Sequence, residues 1–352
     1  MKRGLVILDP QEVPPGELAG RTTSMQSSMR QQGAKAAFIY GDVYHSGDIT
    51  YLSNLCIYWN EGVLAVPADG SPALLSKLSS RVHPWMRSTS NLKDLRSGAN
   101  LGDLARDFLK AESPGIVGLV EMDWWPAHVV DDMQAKLPGW EFRDLGAIVQ
   151  LERRQPSASE QKLLRQSAEI SGNAVAIALD RTLTNPERAG RAELSARMAG
   201  VEDVLVHCHP ATEAADTVEV LAEYRGYWTL AARVLFKATP EWKATFLQAY
   251  AAAEQGLRAG VDVAQLRLAA AALLTGSSIP WRLDLIHHTD LETGGDYRLP
   301  GEESSVVKAG SVVGLRLEFA FADGSHAVAA DTFEIGSAGA SRLTQVLPQV
   351  FP

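Results

Sequence analysis

The sequence predicts two α/β units in succession, a mixed α/β domain over residues 1–153 and an α+β domain over residues 154–352. Three observations predict them. Short β-prone runs alternate with helical stretches between residues 36 and 137, the pattern of a layered α/β domain with a mixed sheet. Leu151–Ser159, LERRQPSAS, is a polar break with a proline, suited to a boundary. Beyond it, helical pairs feed strands twice over, which gives the second unit an internal two-fold look.

Taken in order, residues 1–20 read as an irregular lead-in, with Pro10, Pro14 and Pro15 opposing a helix. Arg21–Gln32 reads as a helix closed by Gly33. Ala36–Gly41 is a strand, a loop and ITYLSNL follow, and GVLAVPADGSPALLS is a strand, a turn at Ala68-Asp69-Gly70 and a second strand. Leu101–Lys110 is helical, Ile116–Met122 a strand and Ala127–Leu137 a helix. After the break, Glu160 opens a long amphipathic helix. A second helix lies near Arg191–Met198, after a loop with Pro186 and Gly190, and Val204–Pro210 is a strand.

Thr217–Phe236 is the centre of the second unit. Val218, Val220, Ala222 and Tyr224 alternate with Glu219, Leu221 and Glu223, the period of a strand. Arg225-Gly226 breaks the run, and Tyr227, Trp228, Leu230, Val234 and Phe236 continue it. The resulting hairpin carries one acid, Glu219, and one arginine, Arg233, into apolar surroundings. Helices follow from Thr239 to Arg258 and over Val263–Thr275, and then strands in SVVGLRLEFAF and HAVAADTFEI.

The net charge of −9 over 352 residues argues against a nucleic-acid partner and against an anionic membrane surface. No stretch approaches the ~18 uninterrupted apolar residues of a membrane span. The start, MKRGLVILDPQEVPPGE, meets Asp9 and Pro10 too early for a secretory signal. Cys56 and Cys208 stand far apart with no metal-type spacing, so a reduced, cytoplasmic protein is expected. No Gly-x-Gly-x-x-Gly or Walker loop occurs, so no nucleotide cofactor is expected.

At its boundary the chain reads RRQPSASEQKLLRQSAEI, with Arg154, Ser157 and Glu160 at motif positions. Gly226-Tyr227, Arg233 and Leu343-Thr344 follow in order. In these motifs, and in ITYLSNL and VPADGSPALL before them, the chain resembles the creatinase/prolidase/aminopeptidase P family over nearly its whole length. The resemblance implies a creatinase-like N-terminal domain followed by a pita-bread catalytic-type domain. It also implies a homodimer in which Trp59 and Trp124-Trp125-Pro126, read as loop aromatics, make contacts. The peptidases of that family hold two divalent cations with two Asp, one His and two Glu, and hydrolyse peptides through a bridging water.

Carried over position by position, the first Asp matches Glu219 and the second falls on Leu230. The histidine slot falls on His287 or His288, one glutamate on Arg316 by strict count or on Glu318 two residues on, and the last on Ala330. At most three of five ligands survive, so no metal and no other cofactor is expected. The family also contains a metal-free hydrolase, creatinase. The expectation is therefore a metal-independent enzyme acting on a C–N bond or related group of a small polar metabolite. Its acid–base residues would be Glu219, Glu318 and one of His287 and His288. Arg233 or Arg316 would bind an anionic group, and Tyr227, Trp228 and His209 would line the site, although Arg233 serves equally as a structural ion-pair partner. A non-catalytic binding module is the alternative, and a metal-dependent Xaa-Pro peptidase a third. His207 and His209, on one strand face, could also chelate a single ion with Glu219.

Overall fold

The computed structural model describes residues 8–57, 59–213, 215–292 and 306–345, and the chain divides into two compact units, Met1–Arg153 and Arg154–Pro352. Unit 1 runs α1 (Pro15–Gln31), β1 (Ala34–Asp42), α2 (Gly47–Ser53), β2 (Glu61–Pro67), β3 (Ala73–Ser76), α3 (His83–Thr89), β4 (Asp94–Ser97), α4 (Leu101–Leu109), β5 (Ile116–Val120), α5 (Ala127–Lys136), β6 (Glu141–Gly146) and α6 (Ile148–Arg153). Its six strands lie in the order β4-β3-β2-β1-β5-β6, with β1 antiparallel to β2 and parallel to β5. Phe38 and Ile39, neighbours on β1, enter two different apolar clusters, so the sheet is covered on both faces. That is why the middle of β1, residues 36–39, is continuously apolar instead of alternating.

Two expectations for unit 1 need correcting, and one unassigned stretch gains an element. Residues 1–7 lie outside the described residues, and the lead-in ends at Pro15, in the first turn of α1, where a missing N–H costs nothing. ITYLSNL belongs to the short helix α2, ended by Asn54 in the left-handed region at φ 63°. Trp125 is buried, its indole N–H donating to the Val120 carbonyl at 2.9 Å. Trp59 is half-buried and stacks on Trp85.

Unit 2 runs α7 (Ala158–Ala178), α8 (Asn185–Met198), β7 (Asp203–Thr212), β8 (Ala215–Tyr224), β9 (Tyr227–Phe236), α9 (Trp242–Gly256), α10 (Val263–Leu274), β10 (Trp281–His287), β11 (Val312–Ala320), β12 (His326–Ile335) and β13 (Ala340–Arg342). Ser157 and Glu160 form a capping box that starts α7, and Thr184 and Glu187 form another that starts α8. The expected loop around Pro186 is therefore the first turn of α8, where proline is favoured.

The seven-stranded sheet has the order β10-β11-β12-β9-β8-β7, with β13 beside β12. Val218, Val220, Ala222 and Ala231 pack under α7 and α8. Val313, Leu315, Leu317, Phe319, Ala329 and Phe333 pack under α9 and α10. By strand alternation, Glu219, Leu221, Trp228, Leu230, Ala232, Val328, Ala330, Arg316 and Glu318 share the other face. The two halves meet at β9 and β12, where the ladder has one backbone pair, Ala232 with Ala330. Side chains close the rest of this seam. Thr332 bonds both the N–H and the carbonyl of Leu230, and Thr217 donates to the His326 carbonyl at 2.8 Å.

Candidate functional site

On the face away from the helices, register aligns Glu219, Ala232, Ala330, Arg316 and Asp284 across five strands. Glu219 and Arg316 are three strand spacings apart, about 14 Å along a flat sheet. Their long side chains bridge that gap because the two positions between them are alanines. Arg316 Nε donates to Glu219 Oε1 at 2.7 Å and Nη2 to Oε2 at 3.3 Å. Its Nη1 donates to Glu318 Oε2 at 2.5 Å. Sequence reasoning left open whether Arg316 or Glu318 faces this side. Both do, two residues apart on β11, joined to each other.

Burial alone would ease the proton off Arg316, but the charges of Glu219 and Glu318 outweigh it and push its pKa up. Burial would raise Glu318; Arg316 and then His326 more than offset this and hold its carboxyl below the usual range. His326, which sequence reasoning missed, has Nδ1 2.5 Å from Glu318 Oε1, within proton-sharing distance though the two groups are not aligned as a linear hydrogen bond. The signal was present: in HAVAADTF, strand alternation puts His326 on the face of Val328 and Ala330.

Beside this polar row, Leu221, Trp228, Leu230, Ala232, Ile286, Leu291, Val328 and Ala330 form a buried apolar cluster. Leu230 and Gly314 fit as a pair, since a Cβ on Gly314 would stand 2.1 Å from Leu230 Cδ2. Trp228 belongs to this cluster.

Arg233 has no exposed surface. Nη2 pairs with Asp331 Oδ1 at 2.9 Å, and Nη1 donates to the Ala330 and Ala232 carbonyls. Asp331 also accepts from Tyr250 at 2.8 Å and from Thr344. Of the two roles weighed for Arg233, the geometry favours the structural one: it holds the seam, and a substrate carboxylate would have to displace Asp331.

His287 and His288 lie elsewhere, around the start of α7. His287 ends β10, and burial first, then the charge of Arg154, pushes its pKa down to about 3, so it is a neutral imidazole near neutral pH. His288 stands in a 3-10 turn, not on a strand, with its ring 6.1 Å from Tyr227. Tyr227 donates to Glu160 at 2.9 Å, and Arg154 pairs with Asp290 at 2.9 Å. This knot ties the capping box of α7 to the sheet. His209 is half-exposed, its Nδ1 3.1 Å from the Pro210 carbonyl, while His207 pairs in register with Glu219 and is exposed. The structure thus brings together Glu219, Arg316 and Glu318, with His326 beside them.

A mixed α/β domain followed by a sheet backed by two helical pairs is the architecture of a pita-bread fold. The chain is similar to the prolidase from Pyrococcus horikoshii at 18% identity, covering 92% of this chain and 98% of that one with a TM-score of 0.76. It is similar to the Xaa-Pro dipeptidase from Bacillus anthracis at 15% identity, covering 95% and 99% with a TM-score of 0.77. It is similar to the X-Pro aminopeptidase from Thermotoga maritima at 15% identity, covering 94% and 98% with a TM-score of 0.77. At these identities the likeness is one of fold, and it bears out the fold expected from sequence. No protein-family model matches the sequence, nor does any curated protein. Among the described residues, no helix is long and apolar enough to cross a membrane.

Proposed function

We propose that this protein is a metal-independent enzyme on the pita-bread fold, acting by acid–base chemistry on a C–N bond or related group of a small polar metabolite. The observation that carries this reading is Arg316. Its guanidinium donates to Glu219 and Glu318, the two acids best placed to bind a cation, and would repel one. Leu230 and Ala330 stand where the resemblance calls for carboxylates, and both belong to the buried apolar cluster. Among the described residues, no group of three or more His, Cys, Asp or Glu could hold a metal ion. The residues present therefore do not fit the cation pair of the family's peptidases.

The carboxylates, Glu219 buried and Glu318 half-buried, supply the chemistry instead. Glu318 is ionised at neutral pH, and Arg316 keeps Glu219 and Glu318 from repelling each other. With its N–H groups engaged by these acids, Arg316 is not available as an anion clamp. A second reading, a binding module without turnover, is favoured by the same saturation, because an acid spent on an internal ion pair is a poor base.

The discriminating experiment is a panel of amides, amidines, amines and Xaa-Pro dipeptides, incubated with the chelator-treated chain. The enzymatic reading expects turnover of at least one compound with EDTA present, lost by two orders of magnitude or more in Glu318→Gln. Turnover of Xaa-Pro dipeptides only after Mn²⁺ is added would sink it. Binding without turnover would support the module.

A further inference from the structure

His326 has no role in the reading above, yet it is the most solvent-accessible member of the polar row. Its side chain is 42% exposed, against 17% for Glu318 and 19% for Arg316. Its main chain is fixed by the bond from Thr217, a residue with no exposed surface. Glu318 is fixed too, with Oε2 on Arg316 Nη1 and Oε1 facing His326 Nδ1 at 2.5 Å. The pair is not aligned as a hydrogen bond, but an ionised, immobilised carboxylate at that distance favours the tautomer that turns an N–H rather than a lone pair toward it, which leaves the lone pair on Nε2. Nε2 lies across the ring from Nδ1. Carboxylate, imidazole and an open ring nitrogen form the orienter-and-base part of a catalytic constellation.

We propose that His326 is the residue that exchanges a proton with the bound ligand, through Nε2, and that Glu318 is its positioning residue. This rests on the metal-independent acid–base reading and changes its distribution of roles: Glu318 and Arg316 form a fixed pair behind a histidine that meets the substrate. In the forward step Nε2 takes one proton from a substrate O–H or N–H, or from the attacking water. The resulting imidazolium sits against the Glu318 carboxylate until it returns the proton to the leaving nitrogen. No other reactant is needed.

The test has one readout independent of turnover. Long-range ¹H–¹⁵N correlation of histidine-labelled protein, with the His326 signals assigned by their loss in His326→Gln, reports the tautomer. The expected result is the Nδ1–H form in the wild type and a return to the usual Nε2–H form both in Glu318→Ala and in Glu318→Gln, whose amide keeps its oxygen on Arg316 and turns its NH2 toward the ring. In parallel, His326→Gln should lower kcat at least 100-fold for any compound turned over in the panel above, with KM little changed. An Nε2–H tautomer in the wild type, or wild-type turnover by His326→Gln, overturns the proposal and leaves metal-independent catalysis standing. The expected tautomer with no turnover of any compound defeats the enzymatic reading itself, and this role with it.

Discussion

Arg233 and Arg316 lie on neighbouring parts of one sheet, each paired with carboxylates, but on opposite faces. Arg233 has 0% side-chain exposure and bonds Asp331 and two backbone carbonyls beneath the helices. Arg316 is 19% exposed and bonds only side chains, Glu219 and Glu318, on the open face. A sealed ion pair that also satisfies backbone groups is part of the framework. A partly exposed one, whose Glu318 also faces a histidine at the solvent, lies where water can reach it. The same residue type thus stands in two environments, separated by strand alternation and burial rather than by sequence context.

Removing each arginine tests the contrast. Arg233→Met should be the most damaging change, costing about 3–5 kcal/mol in urea unfolding, because it strands the Asp331 charge in the core. A loss under about 1 kcal/mol would break the comparison.

Glu202 is an intermediate case. It is buried, donated to by the Arg225 N–H and guanidinium, and near Glu223, and burial first, then the Glu223 charge, raises its pKa to about 7. A carboxyl raised in the folded state favours folding in acid. That contribution is complete below the ordinary carboxylate range and is lost as pH rises through about 7. Glu202→Gln should therefore flatten the stability profile between about pH 4.5 and about 7, by up to ~3 kcal/mol, as read by thermal unfolding across pH. An unchanged profile would contradict the assignment.

Arg316→Met should cost only about 1–2 kcal/mol, since Glu318 lies at the partly exposed end of the row, where water tempers its repulsion with Glu219. Destabilisation equal to that of Arg233→Met would make the row structural. The smallest effect should come from Tyr227→Phe, about 1 kcal/mol for the bond to Glu160, with turnover retained. Abolished turnover there would return Tyr227 to the site.

Much of the fold was legible because alternation in β8 and the amphipathic spacing of α7 are local properties. Prolines misled where a helix begins on one, at Pro15 and Pro186, since a first-turn proline looks like a breaker until the rest of the helix is known. The site was legible in part. Glu219, Arg316 and Glu318 came from motif position and strand phase, but their mutual bonding depended on Ala232 and Ala330 lying between them, which only sheet order reveals. His287 and His288 misled because two adjacent histidines look like a site, whereas burial makes His287 part of the knot at α7. His326 was passed over because its partner, eight positions earlier in the chain, becomes a neighbour only across the β11–β12 turn.

The Arg316 guanidinium between Glu219 and Glu318 should leave no place for a cation. Elemental analysis of the purified chain after dialysis against Mn²⁺, Co²⁺ and Zn²⁺ in turn tests it most directly, with Glu219→Gln as the control. Less than a tenth of an equivalent per chain, unchanged in the variant, is the expected result. Two equivalents per chain, lost in Glu219→Gln, would contradict it.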